Sequence, residues 1–384
     1  MAGSVDKFVA PEIIFGSGSL AEVGYAARRL GAVRPFVVSD PGVAAAGWLN
    51  EACQYLTQAD LKLTAWLGVT PNPKAYEVAE GYERYAEGGC DVIVAVGGGS
   101  CIDAAKGVAV VASNGGHILD YQGIDKVVLP LPPIVAVPST AGTGADLSRF
   151  AVITDSCSHI KVTLLSHALT PNISITDPRL LTTMPDELSA TTGLDAVTHA
   201  IEAFVSRGAN FLSDQHALAA LRLSRQCLFN SLERPTDLAA RTSMAKVSMM
   251  AGLAFTNALL GITHALSHQL GGALDLPHGV LNAVLLPHTV RFNAEDEGER
   301  YLPIADALGI ETVGPPADEI VDAVIQNIVD LRVRLDVPGR LRDLGVSEDD
   351  LPAYAETALN DPCLVTNPRP VAKADALAVL RAAF

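Results

Sequence analysis

The stretch Asp91-Val-Ile-Val-Ala-Val-Gly-Gly-Gly-Ser-Cys-Ile-Asp-Ala-Ala-Lys106 decides the fold of the first half of the chain. Its continuous apolar run predicts a strand that is buried in a parallel sheet. Gly97-Gly-Gly-Ser100 then leads into a helix that contains Asp103 and Lys106. Glycines let the backbone approach a ligand closely, and the first helical turn offers N–H groups and a positive dipole end to an anion. The stretch therefore predicts a diphosphate cradle. A tight turn is the alternative, since the pattern is not the G-x-G-x-x-G fingerprint.

Two further features support a nucleotide site. A second loop of small residues, Pro138-Ser-Thr-Ala-Gly-Thr-Gly144, follows the predicted strand Ile134–Val137. Asp40 closes another predicted strand, Pro35–Ser39, where a carboxylate can accept hydrogen bonds from an adenosine ribose. An acid there favours NAD, because it would repel a 2′-phosphate. The alternative for Asp40 is a turn former before Pro41.

The pattern around this stretch predicts an α/β fold. Short β-branched runs alternate with Ala-rich amphipathic segments, which is typical of βαβ units and a parallel sheet. The predicted strands are Pro35–Ser39, Lys62–Trp66, Val92–Val96 and Ile134–Val137, and the predicted helices are Leu20–Leu30, Ala75–Glu87 and Cys101–Ser113. Long helical stretches follow, over Asp186–Ser231, Leu238–Leu274 and Ala317–Val333. Because Met184-Pro-Asp-Glu187 resembles a helix start, we predict an α/β dinucleotide-binding domain over 1–185 and an all-α, metal-binding catalytic domain over 186–384.

Length and charge limit the possible functions. The 384 residues suffice for two hydrophobic cores, and a net charge of −16 disfavours binding to nucleic acid or to an anionic membrane. Six scattered cysteines resemble reduced thiols, and the segment Met1–Pro11 lacks the features of a secretory signal, so we expect a cytoplasmic protein. The uncharged segment Val247–Leu274 is long enough for a membrane span, but its Gly, His, Asn and Gln residues favour buried helices.

A group of histidines in the second half suggests a metal site. Asp195 and His199 are spaced i, i+4, and His264 and His268 repeat that spacing, which places each pair on one helix face. His278 follows in Leu276-Pro-His-Gly279, where Pro and Gly indicate a loop. Separate burial of the acid and four imidazoles as core residues is the alternative, but a shared cation avoids the cost of desolvating the carboxylate. One carboxylate with three imidazoles suits Fe²⁺ or Zn²⁺, and the sequence does not distinguish the two.

The whole chain resembles the iron-containing (group III) alcohol dehydrogenases. The resemblance rests on motifs that keep the family's order and spacing: Ile14-Phe-Gly-Ser-Gly18, Pro71-Asn-Pro73, Gly97-Gly-Gly-Ser-Cys-Ile-Asp-Ala-Ala-Lys106, Pro138-Ser-Thr-Ala-Gly-Thr-Gly144, Gly193-Leu-Asp-Ala-Val-Thr-His199, Gly261-Ile-Thr-His-Ala-Leu-Ser-His268, Pro277-His-Gly279 and Thr366-Asn-Pro-Arg369. It implies a Rossmann-like parallel-sheet domain followed by an all-α domain, the architecture shared with dehydroquinate synthase.

The resemblance also assigns roles to single residues. It implies that Asp195, His199, His264 and His278 ligate the metal, Fe²⁺ by family or Zn²⁺, and that His268 is a proton relay. The residues expected to bind NAD, with NADP as a possibility, are Asp40, Asn72, Gly98, Gly99, Ser100, Asp103, Thr140, Thr143 and Lys161. Those expected to line the substrate pocket are Phe150, Phe255 and Cys363. A homodimer or higher homo-oligomer is expected.

The implied reaction is metal-assisted hydride transfer between a primary alcohol and NAD, or its reverse from the aldehyde. Two departures from the family pattern stand out. Asp146 replaces a glutamate found in many members, and aromatic Phe150 stands where members that act on diols can carry a polar residue. Phe150 therefore favours simple primary alcohols.

Several relatives of this architecture are alternatives. A polyol, glycerol or lactaldehyde-type dehydrogenase is the first alternative. The intact set of ligands argues against a metal-free maleylacetate reductase, and a sugar-phosphate cyclase would need a Lys/Arg cluster that the histidine region lacks. A non-enzymatic NAD-binding scaffold would be favoured only if ligands were missing.

Overall fold

The computed structural model describes residues 7–384, which divide into two compact units. The first, here called the sheet unit, contains residues 10–186 and 233–245. The second, the helical unit, contains 187–232 and 246–384 together with residues 7–9. The division at 185/186 into a cofactor domain and a catalytic domain stays a prediction. The first six residues of the chain, and with them part of the segment Met1–Pro11, lie outside the described range.

Within the described residues, the sheet unit contains nine strands, five complete α-helices and the first turns of a sixth helix, which begins at Leu238. The strands are β1 (Glu12–Phe15), β2 (Pro35–Val38), β3 (Thr64–Trp66), β4 (Val92–Gly97), β5 (Gly123–Ile124), β6 (Ile134–Pro138), β7 (Phe150–Asp155), β8 (Ile160–Leu165) and β9 (Ile173–Thr176). The helices are α1 (Val23–Arg29), α2 (Pro41–Ala45), α3 (Trp48–Gln58), α4 (Ala75–Glu87) and α5 (Gly99–Asn114).

A parallel sheet of six strands forms the centre of this unit, in the order β1-β9-β6-β4-β2-β3. All six residues of β4 are buried, because its side chains alternate between two cores. Ile93 packs into one core, whereas Val94 and Val96 pack into the other. This double burial explains the continuous apolar run and confirms the predicted parallel α/β fold. A smaller sheet, β5-β8-β7, was not predicted.

The register of the sheet aligns the ends of three strands. Val38 of β2 pairs with Ala95 of β4, and Gly97 pairs with Pro138 of β6. Asp40, Gly98 and the loop after Pro138 therefore follow the carboxyl ends of three adjacent parallel strands. Open α/β sheets bind their ligands at this edge.

From residue 186 onward the chain is helical, as the sequence predicts. The helices are α6 (Asp186–Val205), α7 (Phe211–Glu233), α8 (Leu238–Ala258), α9 (Ile262–Leu274), α10 (His278–Glu297), α11 (Tyr301–Leu308), α12 (Ala317–Arg334), α13 (Leu351–Ala358) and α14 (Lys373–Ala383). Leu266 and Leu270 of α9 and Leu281 and Leu285 of α10 repeat at i, i+4 and share one core. That core fixes α9 and α10 against each other.

The uncharged segment Val247–Leu274 forms parts of two helices, and most of it is buried. In the described range, no helix taken singly is long and apolar enough to cross a membrane. By length and composition alone, α8 and α9 pass that test only as a pair, with a bend of 102° between them.

The predicted loop at His278 is wrong, because His278 is the first residue of α10 and Pro277 is its N-cap. Proline is tolerated at a helix start, where its missing N–H has no helical partner to lose. Gly279 lies in the first turn, where a Cβ would stand 2.3 Å from the carbonyl oxygen of Thr191. The glycine therefore allows α6 and α10 to approach closely rather than forming a loop.

Candidate functional site

The glycine-rich stretch after β4 has the geometry of an anion cradle. Gly98 is the N-cap of α5 and makes no side-chain capping bond, so the first helical turn keeps N–H groups for a ligand. A Cβ at Gly97 would stand 2.4 Å from Cys101 Sγ, and one at Gly99 would stand 2.9 Å from Thr143 Cγ2. The glycines are therefore required by close packing, and the two predicted loops contact each other directly.

The second loop also fits a polar ligand. Thr140 Oγ1 is buried and has no hydrogen-bond partner, although buried hydroxyls normally have one. Lys106 holds the segment after this loop, since its Nζ donates to the carbonyl oxygens of Ala145, Ser148 and Phe150 at 2.7–2.8 Å. Burial lowers the pKa of Lys106 to about 8. Lys106 therefore stabilises the loop, whereas the Thr140 hydroxyl makes no such bond.

Asp40 combines both interpretations that the sequence left open. Its Oδ1 accepts a hydrogen bond from the Val43 N–H at 2.9 Å and so caps α2, in which Pro41 is the first residue. Its Oδ2 accepts from the Cys101 thiol at 3.1 Å. The same oxygen would lie 3.4 Å from a Cβ at Gly97. A turn-forming acid thus also lies beside the cradle.

Other residues predicted to bind the cofactor lie in the sheet unit, and two acids there have structural bonds. Asp103 Oδ2 accepts from the Val152 N–H at 3.2 Å, and burial raises the pKa of Asp103 to about 6. Asp146 accepts from Ser174 Oγ at 2.6 Å, which ties its loop to β9. The remaining predicted residues comprise Ser100 in the first turn of α5, Asn72 at a positive φ of 54°, and Lys161, buried on β8. Their cofactor contacts stay predictions.

The helical unit gathers the predicted metal ligands. Asp195 and His199 on α6 are 1% and 4% exposed, and His199 Nδ1 lies 3.8 Å from Asp195 Oδ2. The Nε2 atoms of His264 on α9 and His278 on α10 each lie 3.8 Å from Asp195 Oδ1. Two donors bonded to one ion at ~2.1 Å can be no more than ~4.2 Å apart, so each of these three separations from Asp195 is compatible with a shared ion. The ligand atoms of Asp195, His199 and His264 all lie within 4.8 Å of one another.

The electrostatics of this cluster favour a cation. Burial alone would raise the pKa of Asp195, but the imidazoles of His199, His264 and His278 hold it well below its ordinary value. Burial alone would lower the pKa of His264, but Asp195 and Glu202 outweigh burial and raise it to about 9. The cluster thus holds positive charge at the point where the donors converge. A bound metal would replace a proton there.

Three residues that the sequence did not single out contact this cluster. Glu202, 3% exposed, lies 2.6 Å from His264 Nδ1, and Ser267 Oγ lies 3.3 Å from His278 Nδ1. Asn282 Nδ2 donates to Asp195 Oδ1 at 2.8 Å. Glu202 and Ser267 contact the Nδ1 atoms, as do the partners that orient metal-binding imidazoles. Asn282 Nδ2 also lies 3.2 Å from His264 Nε2 and 3.0 Å from His278 Nε2. Glu202 could have been found from sequence, because Asp195, His199 and Glu202 follow an i, i+4, i+7 pattern.

His268 lies beside the cluster and is bonded elsewhere. Its Nδ1 is 2.8 Å from Asp361 Oδ2. Burial alone would raise the pKa of Asp361, but His268 outweighs it and lowers that pKa. An ionised carboxylate can only accept, so His268 Nδ1 carries the proton. Cys363 is buried beside this pair and could join it in holding a cation, since the ligand atoms of all three lie within 4.8 Å of one another.

The three predicted pocket residues have different surroundings. The Phe255 ring stacks on the His199 ring with centroids 4.3 Å apart, which places an apolar surface beside the carboxylate–imidazole cluster. Cys363 is fully buried, and its thiol interacts with Asp361. Phe150 is 6% exposed and begins β7 in the sheet unit. Contact of any of them with a substrate stays a prediction.

A glycine cradle at a parallel sheet edge and a buried carboxylate–imidazole cluster are together typical of dehydrogenases that pair a dinucleotide with a divalent metal. Comparison with known proteins narrows this class. Residues 10–178 match the family model for iron-containing alcohol dehydrogenase, and residues 189–384 match the model for the C-terminal part of the Fe-containing alcohol dehydrogenase family. The chain therefore belongs to the iron-containing alcohol dehydrogenase family, and it is an oxidoreductase of the alcohol dehydrogenase type.

Similar proteins match along nearly their whole length. A 1,3-propanediol dehydrogenase of Citrobacter freundii is 39% identical over 380 residues, 98% of each chain. An NAD-dependent methanol dehydrogenase of Bacillus methanolicus is 35% identical over 377 residues, 98% of this chain and 99% of that one. The crystal structure of a 1,3-propanediol oxidoreductase has a TM-score of 0.95 at 39% identity and covers 99% of this chain and 100% of its own. These matches confirm the predicted family and fold.

Proposed function

We propose that this alcohol dehydrogenase depends on a divalent metal and uses NAD to interconvert primary alcohols and aldehydes. The observation that carries the proposal is a buried group of Asp195, His199 and His264 whose ligand atoms all lie within 4.8 Å of one another, with His278 Nε2 3.8 Å from Asp195 Oδ1. These four residues would hold the ion, Fe²⁺ by family or Zn²⁺. When bound, the ion supplies Lewis acidity toward the alcohol oxygen, and NAD supplies the hydride acceptor.

The protein's own residues would bind and orient these groups. The N–H groups at the start of α5 and the Thr140 hydroxyl would bind the diphosphate of NAD, and Asp40 would accept from its ribose. Phe255 covers one face of the His199 ring and keeps water from it. The polar groups would hold NAD in place, and Phe255 would exclude water. Binding, orientation and exclusion of water are what a protein adds to the chemistry of its cofactor.

His268 would move the alcohol proton. Because Nδ1 donates to Asp361, the Nε2 atom of the neutral ring is the proton acceptor. In oxidation, His268 Nε2 would take up the proton that the hydroxyl releases, directly or through a water, and pass it to solvent. In aldehyde reduction the same nitrogen would return it.

The substrate class can be tested by comparing 1-propanol with 1,3-propanediol, which differ by one hydroxyl group. The similar propanediol and methanol dehydrogenases support small primary alcohols, and the former favours a diol as the second candidate. We expect chelated enzyme to recover oxidation of 1-propanol with NAD only after Fe²⁺ or Zn²⁺ is added. Initial rates with 1-propanol, 1,3-propanediol and propanal, with and without metal, measure this. Equal rates in the chelated and reloaded enzyme would contradict metal dependence, and a strong preference for 1,3-propanediol would favour the diol.

The preference for NAD rests on Asp40, and Asp40→Ser tests it while keeping a residue that can cap α2. Loss of the charge removes both the ribose contact and the repulsion of a 2′-phosphate. We expect the ratio of kcat/KM for NADH to that for NADPH to fall about 10- to 100-fold, as for loss of a charge-assisted hydrogen bond. Steady-state kinetics with both cofactors measure the ratio. Wild-type enzyme that used NADPH as well as NADH would contradict the assignment.

We also propose a cytoplasmic homo-oligomer. The six cysteines are free thiols, which supports a reducing compartment. Phe211 and Leu212 at the start of α7 are 72% and 46% exposed, and adjacent exposed apolar side chains support a contact with another chain.

A further inference from the structure

Glu202 lies on α6 beyond His199, and its carboxylate is surrounded by donors. It accepts from the Gly261 N–H at 3.1 Å and from the Thr263 N–H at 2.7 Å. It also lies 2.6 Å from His264 Nδ1. At 3% exposure, the side chain bonds to protein groups in place of bulk water. One buried carboxylate thus contacts both the backbone and the imidazole of the same segment.

The two backbone contacts cap α9. Gly261 is its N-cap and has no side chain that could serve, so the N–H groups of the first turn need acceptors from elsewhere. Glu202 accepts two of them, and Asn367 Oδ1 accepts a third, from Ile262, at 3.0 Å. A negative charge at this end also complements the helix dipole. Both side chains therefore fix the start of α9, but only Glu202 also contacts His264.

The third contact determines which nitrogen of His264 carries a proton. A carboxylate that receives two N–H groups is an acceptor, so Nδ1 must donate to it. In the neutral ring, which is the form that binds a metal, Nε2 then keeps its lone pair. It lies 3.8 Å from Asp195 Oδ1 and 3.2 Å from Asn282 Nδ2. Metal ligands of this type commonly donate their second ring nitrogen to a carboxylate, which fixes the ring and increases its basicity.

We propose that Glu202 is a positioning residue that holds His264 in the tautomer and orientation needed for metal binding through Nε2. The inference rests on the proposed metal centre. Glu202 lies on α6 together with Asp195 and His199. The helix that carries two ligands therefore also supplies the carboxylate that orients the third, His264. Glu202 itself would not touch the ion.

Glu202→Gln separates this role from simple packing, because the amide cannot satisfy all three donors. If its oxygen faces Thr263, its NH₂ group faces His264 Nδ1, and a proton must then move to Nε2, which blocks that ligand. If its oxygen faces His264 and Gly261, the NH₂ group meets the Thr263 N–H. The first arrangement blocks a metal ligand. The second weakens the cap and leaves His264 Nδ1 donating to a neutral amide instead of a carboxylate, so both arrangements lower metal affinity.

The test measures Zn²⁺ alone. Wild-type protein, Glu202→Gln and Asn367→Ala would be stripped, reloaded, and titrated with a competing chromophoric chelator. We expect Glu202→Gln to bind Zn²⁺ about 10- to 100-fold more weakly, the range found for such partners. Asn367→Ala also removes a cap of α9, and we expect it to lower thermal stability but to keep the Zn²⁺ affinity. Equal affinity losses in the two variants would assign the effect to capping and overturn the proposal.

A second measurement covers the case in which Glu202→Gln does not fold. In Zn²⁺-loaded wild-type protein with ¹⁵N-labelled histidine, His264 should show a proton on Nδ1 and none on Nε2. A proton on Nε2 overturns the proposal, as does a folded Glu202→Gln variant with wild-type affinity. If wild-type protein binds no Zn²⁺ or Fe²⁺, the metal centre itself is wrong, which is a different result.

Discussion

The His264→Ala variant should lose about a thousandfold in the rate of aldehyde reduction with NADH, together with its metal. His264 is 1% exposed, and its Nε2 lies among the donors that surround Asp195. Removal of the imidazole leaves Asp195 buried with one partner fewer and leaves Glu202 without its bond to Nδ1. A bound metal contributes several kcal/mol, and about 4 kcal/mol corresponds to a thousandfold in rate. Initial rates and metal content by atomic absorption measure both effects.

A histidine outside the cluster provides the matched control. His216 lies in the same unit, where its ring stacks on Phe8 and its Nδ1 contacts Met250 Sδ. We expect His216→Ala to lower thermal stability and to keep metal and turnover. If chelated His264→Ala still reduced aldehydes at the wild-type rate, the metal would have no part in the reaction. Equal metal loss in both variants would show that the effect comes from damage to the fold.

Much of the fold could be predicted because its signals are local. The run in β4 is apolar at every position because both of its faces are buried, and the glycines that follow allow close packing of two loops. The strands β1 and β9 were not predicted, although β2 has the same length of four residues. The residues of β9, Ile-Ser-Ile-Thr, alternate between apolar and polar, whereas β2 and β4 begin with continuous apolar runs. Pro277 and Gly279 indicated a loop because proline and glycine usually interrupt helices. The close approach of Gly279 to Thr191 depends on α6, which is distant in sequence.

The candidate site shows the same limit. Spacing identified Asp195 with His199, because a helix face is a local property. The partners of the site are not local: Glu202 and His264 are 62 positions apart, Asn282 and Asp195 are 87 apart, and Asp361 and His268 are 93 apart. Only the packing of helices brings them together. Spacing also paired His264 with His268, and the structure shows a different bond for His268.

His268→Ala should therefore slow turnover about 100- to 10,000-fold and leave the metal bound. The range is that of general acid–base catalysis, because the variant removes the group proposed to carry the alcohol proton. The bond from Nδ1 to Asp361 at 2.8 Å orients this imidazole for proton transfer, whereas Glu202 orients His264 for ligation. Added imidazole should restore part of the rate, since a small base can replace the missing group but not a ligand held by packing.

The metal content of the variants shows whether His268 is a metal ligand or a proton relay, which the i, i+4 spacing left open. If His268 were a ligand paired with His264, His268→Ala would lose its metal as His264→Ala does, and imidazole would not restore the rate. Asp361→Asn is the matched variant, because it keeps the imidazole and replaces the carboxylate that accepts its Nδ1 proton with an amide, whose oxygen can still accept from the Cys363 N–H. It should retain the metal and lose less activity than His268→Ala. Full activity in both variants would exclude the relay and require that the alcohol proton leave by another route, since no step of hydride transfer itself removes it.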